Sequence, residues 1–120
     1  MENQSKVHTI ITGAIGSGKS RLAEQIADWN FKNNEVTRID GRVLSGNFIF
    51  QNCNENTKLL IIDDVKDPEL YLEITERVIV DRQSKAAITI YPEIILVCDE
   101  NVDPAKFVKS ITRRFNIIKT

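Results

Sequence analysis

One segment restricts this chain more than any other: Gly13-Ala14-Ile15-Gly16-Ser17-Gly18-Lys19-Ser20. Upstream, Val7 to Thr12 is a short run rich in β-branched residues, which predicts a strand. Downstream, Leu22, Ala23, Ile26, Ala27 and Phe31 fall at helical spacing. They predict a helix from Lys19 to about Lys32, broken by Asn33-Asn34. The segment matches GxxxxGK[ST] and sits in the strand–turn–helix setting that this pattern requires. Glycines let the backbone turn tightly, so successive N–H groups converge on an anion. The start of the helix adds its positive end. The expectation is a phosphate cradle formed by Gly13, Ala14, Ile15, Gly16, Ser17, Gly18, Lys19, Ser20 and Arg21. Lys19 would reach the β- and γ-phosphates, and Ser20 would offer its hydroxyl to Mg²⁺. Chance is a poor explanation, because the fixed positions would coincide in well under ~1 in 100 chains of this length.

The rest of the chain alternates in the same manner. Val36 to Ile39 is a second short strand candidate. Gly41 to Asn56 is ambiguous, holding a short helix or an irregular excursion around Phe48, Ile49 and Phe50. Lys58 to Ile62 reads as a buried strand that ends in Asp63-Asp64. Pro68 suits the first turn of a helix. That helix is predicted to run to about Asp81, with Leu70, Ile74, Val78 and Tyr71 on its inner face. Ala86 to Tyr91 alternates like a hairpin arm. Ile94 to Cys98 is another buried strand, Pro104 to Ser110 a short helix, and Phe115 to Ile118 a last strand. Unbroken apolar runs such as Leu59 to Ile62 and Ile94 to Val97 are typical of parallel strands covered on both faces. The fold class expected is α/β, a three-layer P-loop NTPase with a mainly parallel five-stranded sheet in AAA+-like order 5-1-4-3-2. The whole of 1–120 is expected to form a single domain of minimal kind, without a C-terminal helical lid.

Two carboxylates at the end of a buried strand lie where open α/β sheets bind ligands. Asp63 would hold Mg²⁺, and Asp64 would act as general base on the attacking water. The plainer alternative is an exposed pair capping the next helix. Adjacent carboxylates repel, so a cation is their natural companion.

Beyond these two motifs, the sequence resembles the superfamily 3 helicases, compact AAA+ relatives encoded by small viruses and plasmids. Ile61-Ile62-Asp63-Asp64-Val65-Lys66-Asp67-Pro68-Glu69-Leu70-Tyr71-Leu72 is similar to the Walker B region of geminivirus replication proteins. Val80-Asp81-Arg82-Gln83-Ser84-Lys85 through Tyr91-Pro92-Glu93-Ile94-Ile95-Leu96-Val97 is similar to motif B′ running into motif C of parvovirus-type initiators. Ile111-Thr112-Arg113-Arg114-Phe115-Asn116-Ile117-Ile118 resembles the segment bearing the arginine finger. The likeness covers most of the chain and is weakest from Arg38 to Asn56. It implies that Lys85 sits on a β-hairpin facing nucleic acid, and that Asp99 or Asn101 is the polar sensor after the motif C strand. It also implies that Arg114, with Arg113 beside it, reaches a neighbour's ATP, where an added cation stabilises transition-state charge. The implied ligands are ATP and Mg²⁺. The implied partners are single-stranded DNA or RNA, and further copies in a homo-oligomeric ring or a larger replication partner. Family helicases carry a helical oligomerisation segment before the first strand, and often a nuclease domain. Here the first strand begins by Val7, so a reduced ATPase is expected rather than a processive unwinding enzyme.

Other readings stay open. A small P-loop kinase shares the loop but usually needs an acceptor region and an Arg-rich lid. A non-catalytic module would bind nucleotide without turning it over. ATP in place of GTP rests on the resemblance, with mild support from the lack of a guanine-reading NKxD segment. Composition adds exclusions. Lys plus Arg number 16 and Asp plus Glu 17, so nucleic-acid contact would need a local patch. Cys53 and Cys98 form no CxxC and read as reduced, partly buried thiols. No apolar run spans a membrane and Met1 to Lys6 is polar, so a cytoplasmic location with no membrane partner is expected. His8 reads as a structurally satisfied strand residue, and Trp29 as a packing residue on the first helix.

Overall fold

Parallel pairing of five apolar strands organises the chain, whose computed structural model describes residues 7–41, 50–82 and 85–120. In chain order these strands are β1 (His8–Thr12), β2 (Val36–Asp40), β3 (Leu59–Val65), β6 (Glu93–Cys98) and β7 (Phe115–Lys119). They lie side by side as β2-β3-β6-β1-β7. Every pairing among them is parallel. A separate antiparallel hairpin is formed by β4 (Val78–Arg82) and β5 (Lys85–Ile90). Numbered over all seven strands, the sheet runs 7-1-6-3-2 rather than 5-1-4-3-2. The difference is the hairpin, which takes two places in the chain without entering the sheet. Counted over the sheet's own five strands, the same arrangement reads 5-1-4-3-2.

Alternation explains the unbroken apolar runs. Ile11, Leu59, Ile61, Ile95 and Val97 pack on one face with Ala23 and Ala27 of helix α1 (Lys19–Asn30). Ile10, Leu60, Ile62, Ile94, Leu96 and Cys98 point to the other face. There they meet Val78, Val80 and Ile90 of the hairpin, Tyr71 and Ile74, and Ile111 of helix α2 (Lys109–Arg114). Neither side of these strands is left to water, so successive residues must both be apolar. No described helix is long and apolar enough to cross a membrane.

The helix expected from Pro68 to Asp81 does not form. Two short 3₁₀ turns, Pro68–Tyr71 and Glu73–Thr75, are followed directly by β4. Asp67 caps the first turn by accepting the Glu69 N–H at 3.1 Å. From Val78 the exposure alternates buried, exposed, buried, exposed, which is a period of two. The β-branched trio Val78-Ile79-Val80 fits that pleat better than a helix. Tyr71, Ile74 and Val78 are buried as expected, but Leu70 faces outward. Likewise Pro104–Lys106 is a single 3₁₀ turn, and the helix begins later, at Lys109. Phe107 and Val108 are extended between them, with Phe107 packed on the core. Trp29 is 73% exposed rather than packed. It lies two residues past the buried Ala27, about 200° round the helix. Phe48 and Ile49, in the ambiguous 41–56 stretch, and the Gln83-Ser84 part of the motif B′ likeness lie outside the described residues.

Candidate functional site

All five parallel strands end on the same edge of the sheet, and most of the residues singled out in the sequence collect there. The loop after β1 carries three positive φ angles, 152° at Gly13, 79° at Gly16 and 92° at Gly18. Gly18 ends the loop as the N-cap of α1, and Leu22 N–H closes the first helical turn onto its carbonyl at 2.9 Å. The helix has no acidic residue of its own in that first turn to offset its positive end. Lys19 folds back over the loop, its ammonium donating to the carbonyls of Gly13 at 2.8 Å and Ala14 at 3.0 Å. Arg21 is exposed in the same first turn.

The strand alternation that buries Leu59 and Ile61 against α1 also turns Asp63 toward that helix. The Ser20 hydroxyl donates to the Asp63 carboxylate, at 3.3 Å to Oδ2 and 3.5 Å to Oδ1. Asp63 Oδ1 also accepts the Asp64 N–H at 2.8 Å. Asp64 has φ 55°, the one described non-glycine residue with positive φ. Aspartate visits this left-handed region more readily than most residues, at a cost of about 1–2 kcal/mol. Pairing between β3 and β6 shifts register between Ile62 and Val65, so Asp64 lies in the irregularity.

Sequence reasoning missed the partners of this pair. Asp40 ends β2 directly opposite Asp63. Gly41 N–H donates to the Asp63 carbonyl at 2.7 Å. A Cβ on Gly41 would lie only 2.7 Å from that same oxygen, so no side chain fits there. Arg38, Ile39, Asp40, Asp63 and Asp64 line a pocket of about 500 Å³. Its Arg38 wall is fixed by a two-pronged pair with Glu24 on α1. Behind Asp40 and Gly41 lies Tyr71, whose buried hydroxyl has no hydrogen-bond partner among the described residues. Burial first, and the Asp40 charge second, push its phenol up to about 12. A strand candidate stopping at Ile39 gives no hint of Asp40. Only the β2–β3 register does.

The remaining candidates divide. Asp99 follows β6 on this edge, its N–H donating to the Val65 carbonyl at 2.7 Å. Its Oδ1 accepts the Asn101 N–H at 2.8 Å. Asn101 is exposed and borders a different cavity, with Lys66, Pro68, Val102 and Phe107. Arg113 and Arg114 precede β7, whose first residue Phe115 pairs with His8 at the start of β1. They therefore lie at the far edge of the sheet, about 13 Å from the loop along β1. Arg113 is exposed, and Arg114 is paired with Glu76 at 3.2 Å. Lys85 is exposed at the start of β5, on the hairpin that stays outside the parallel sheet. Both cysteines are buried and free. Burial pushes the Cys53 thiol up to about 11 and the Cys98 thiol up to about 12, so neither offers a thiolate near neutral pH.

Chemically, the edge offers backbone donors and an ammonium on one side and carboxylates on the other. Among the described residues no group of three or more His, Cys, Asp or Glu is arranged to hold a metal alone. Ser20 and Asp63 suit a Mg²⁺ ion that takes its remaining ligands from phosphate oxygens and water, which is that ion's usual habit.

No protein-family model matches the chain, and no curated protein matches it by sequence. Its fold is similar to solved apo structures of the NrS-1 C-terminal region. One has a TM-score of 0.64 at 19% identity, covering 94% of this chain and 29% of that one. The A form has a TM-score of 0.62 at 17% identity, covering 93% and 28%. The chain thus spans less than a third of the structures it resembles. At these identities the likeness concerns fold alone: α/β, with a mainly parallel five-stranded sheet.

Proposed function

We propose that this chain binds Mg²⁺–ATP at residues 13–21 and hydrolyses it, as an AAA+-like ATPase of superfamily 3 helicase type. The observation that carries the reading is the approach of Ser20 to Asp63 at 3.3 Å, across 43 residues of sequence, beside a loop whose lysine is folded over its own carbonyls. A hydroxyl and a carboxylate held together at the end of a helix-capped glycine loop are the protein's share of a Mg²⁺–phosphate site. Bound Mg²⁺–ATP supplies the transferable phosphoryl group and neutralises charge on its oxygens. Lys19 leaves the Gly13 and Ala14 carbonyls for the phosphates. The loop N–H groups hold the anion in place. Asp64 accepts the proton of the attacking water, and Asp99 orients polar groups on the same edge. Arg113 and Arg114, at the far edge of their own sheet, serve the site of a second copy in a homo-oligomer. Lys85 on the hairpin is the candidate contact to single-stranded nucleic acid.

Isothermal titration with Mg²⁺–ATP tests the core of this reading. The unaltered protein takes up nucleotide, and Lys19→Ala weakens uptake by about 100-fold or more, the order expected for a charged hydrogen-bonding group on phosphate. ATPase specific activity that rises with protein concentration and with single-stranded DNA or RNA supports assembly. A specific activity indifferent to both counts against it. The roughly 500 Å³ pocket beside Asp63 favours a second reading, a small-molecule kinase whose acceptor sits there. Radiolabelled ATP with a panel of nucleoside monophosphates decides between them, since a phosphorylated acceptor belongs only to the kinase.

A further inference from the structure

The far end of β7 reaches the phosphate loop from behind. Thr120 N–H donates to the Thr12 carbonyl at 2.8 Å, continuing the β1–β7 ladder by one residue. Its hydroxyl donates to the same carbonyl at 2.9 Å. The Ser17 hydroxyl lies 2.6 Å from Thr120 Oγ1. A threonine hydroxyl has one proton. The Thr120 proton goes to the Thr12 carbonyl, so the Ser17 proton goes to Thr120. The result is a directed chain from Ser17 through Thr120 to Thr12. Gly13 leaves the room for it. A Cβ at position 13 would sit 2.0 Å from Thr120 Oγ1 and 2.7 Å from Ser17 Oγ. Gly13 is also the residue whose carbonyl receives Lys19. Thr120 therefore touches the first residue of the loop and ties down its middle.

We propose that Thr120 is a positioning residue for the phosphate loop, holding residues 13–17 in their anion-receiving curve before ligand arrives. This rests on the Mg²⁺–ATP reading of the same loop. A loop already shaped spends less ordering entropy on binding. The effect should thus fall on affinity and leave the bound state's chemistry alone. A purely structural tie would lower melting temperature without changing affinity.

The test is a set of four variants: Thr120→Val, Thr120→Ser, Ser17→Ala and the Ser17→Ala/Thr120→Val double. Each is measured for Mg²⁺–ATP affinity, turnover at saturation, and amide hydrogen exchange over residues 13–18 in the nucleotide-free protein. Ser17→Ala is expected to weaken binding about five- to tenfold, the size of one lost neutral hydrogen bond, and Thr120→Val by at least as much, because it removes both links. For Thr120→Val turnover at saturation stays within about twofold, and loop exchange speeds up in both variants. Thr120→Ser keeps the hydroxyl and behaves like the unaltered protein. The double variant is no worse than Thr120→Val alone, which already breaks both links of the chain. Three results overturn the proposal: Thr120→Val with unchanged affinity and exchange, Thr120→Ser as impaired as Thr120→Val, or additive losses in the double. If the unaltered protein takes up no Mg²⁺–ATP, the ATPase reading fails, and loop exchange in the same variants still decides whether Thr120 braces the loop.

Discussion

The two edges of the parallel sheet are built to different standards. At the edge where the strands begin, many polar groups are paired. His8 Nδ1 accepts the Ile94 N–H at 3.0 Å. Glu93 N–H reaches the Lys58 carbonyl at 2.9 Å, and Lys58 N–H reaches the Glu35 carbonyl at 2.7 Å. Lys58 pairs with Glu35 at 3.1 Å, and Arg114 with Glu76 at 3.2 Å. The Lys32 N–H first, and Lys58 second, hold the Glu35 carboxyl below its ordinary range. At the edge where the strands end, an aspartate occupies φ 55°, a lysine rests on loop carbonyls, and a buried tyrosine hydroxyl has no partner among the described residues. Strain and incomplete pairing persist only where the surroundings over-determine them, and they gather at sites of function. The contrast therefore points to one edge, independently of any motif.

The contrast can be broken most forcefully at Asp64. Asp64→Asn keeps a side chain that tolerates positive φ and removes the basic oxygen. Turnover should fall about 100- to 1,000-fold with nucleotide affinity and melting temperature nearly unchanged, the order of effect for a lost general base. Steady-state ATPase assays beside a thermal melt check this. Unchanged turnover would leave the binding-only module as the better account.

Gly41→Ala comes next. Its Cβ would lie 2.7 Å from the Asp63 carbonyl and 3.2 Å from that of Asp64, both backbone atoms that cannot swing aside. Destabilisation of ~1–3 kcal/mol is expected for such overpacking, read as a lower urea midpoint. Because the displaced strand end carries Asp63, Mg²⁺-dependent nucleotide binding should weaken too. A variant as stable as the parent would show that the β2–β3 end has slack.

The smallest effect sharpens the quiet edge. Burial lowers the His8 pKa from 6.5, partly offset by a backbone hydrogen bond involving Thr75. The unfolded chain therefore binds the proton more readily than the folded one. The stability due to neutral His8 is complete above pH 6.5 and drains away as pH falls through 6.5 toward the lower folded value. His8→Gln cannot take that proton. Melting temperatures across pH 7.5 to 5.5 should decline more for the parent than for the variant, and parallel curves would remove His8 from the account.

What the sequence made legible follows from how locally each feature is determined. The loop at 13–20 is specified by neighbours in the chain, so its glycines, lysine and serine could be placed directly. All five of the sheet's strands were legible, β3 and β6 most plainly, because burial on both faces makes them unbroken apolar runs, as in Leu59 to Ile62. The segment from Pro68 to Arg82 was misread because Leu70, Ile74 and Val78 also satisfy a helical period. The alternation from Val78 decides otherwise only once a hairpin partner, β5, is known. Asp40, Gly41 and Thr120 were illegible for a different reason. Each matters through a register set by the folded sheet, and the Thr120–Ser17 contact spans 103 residues. Arg113 and Arg114 could be named from a resemblance, but their distance from the loop of their own copy is a fact of strand direction.

The placement of β6 has a further consequence. It lies between β1 and β3, so the glycine loop and the aspartates hang from strands two ladder spacings apart, about 10 Å. That breadth belongs to backbone hydrogen bonding. Substitutions can alter what fills the gap, but only gaining or losing a strand can widen or narrow it. The tip of the intervening strand, Cys98, is 1% exposed and feels the charges of both Lys19 and Asp99. Its side chain packs on the hairpin face, away from the helix toward which Asp63 turns, so a bulkier residue there would crowd the hairpin core and leave the breadth of the gap unchanged.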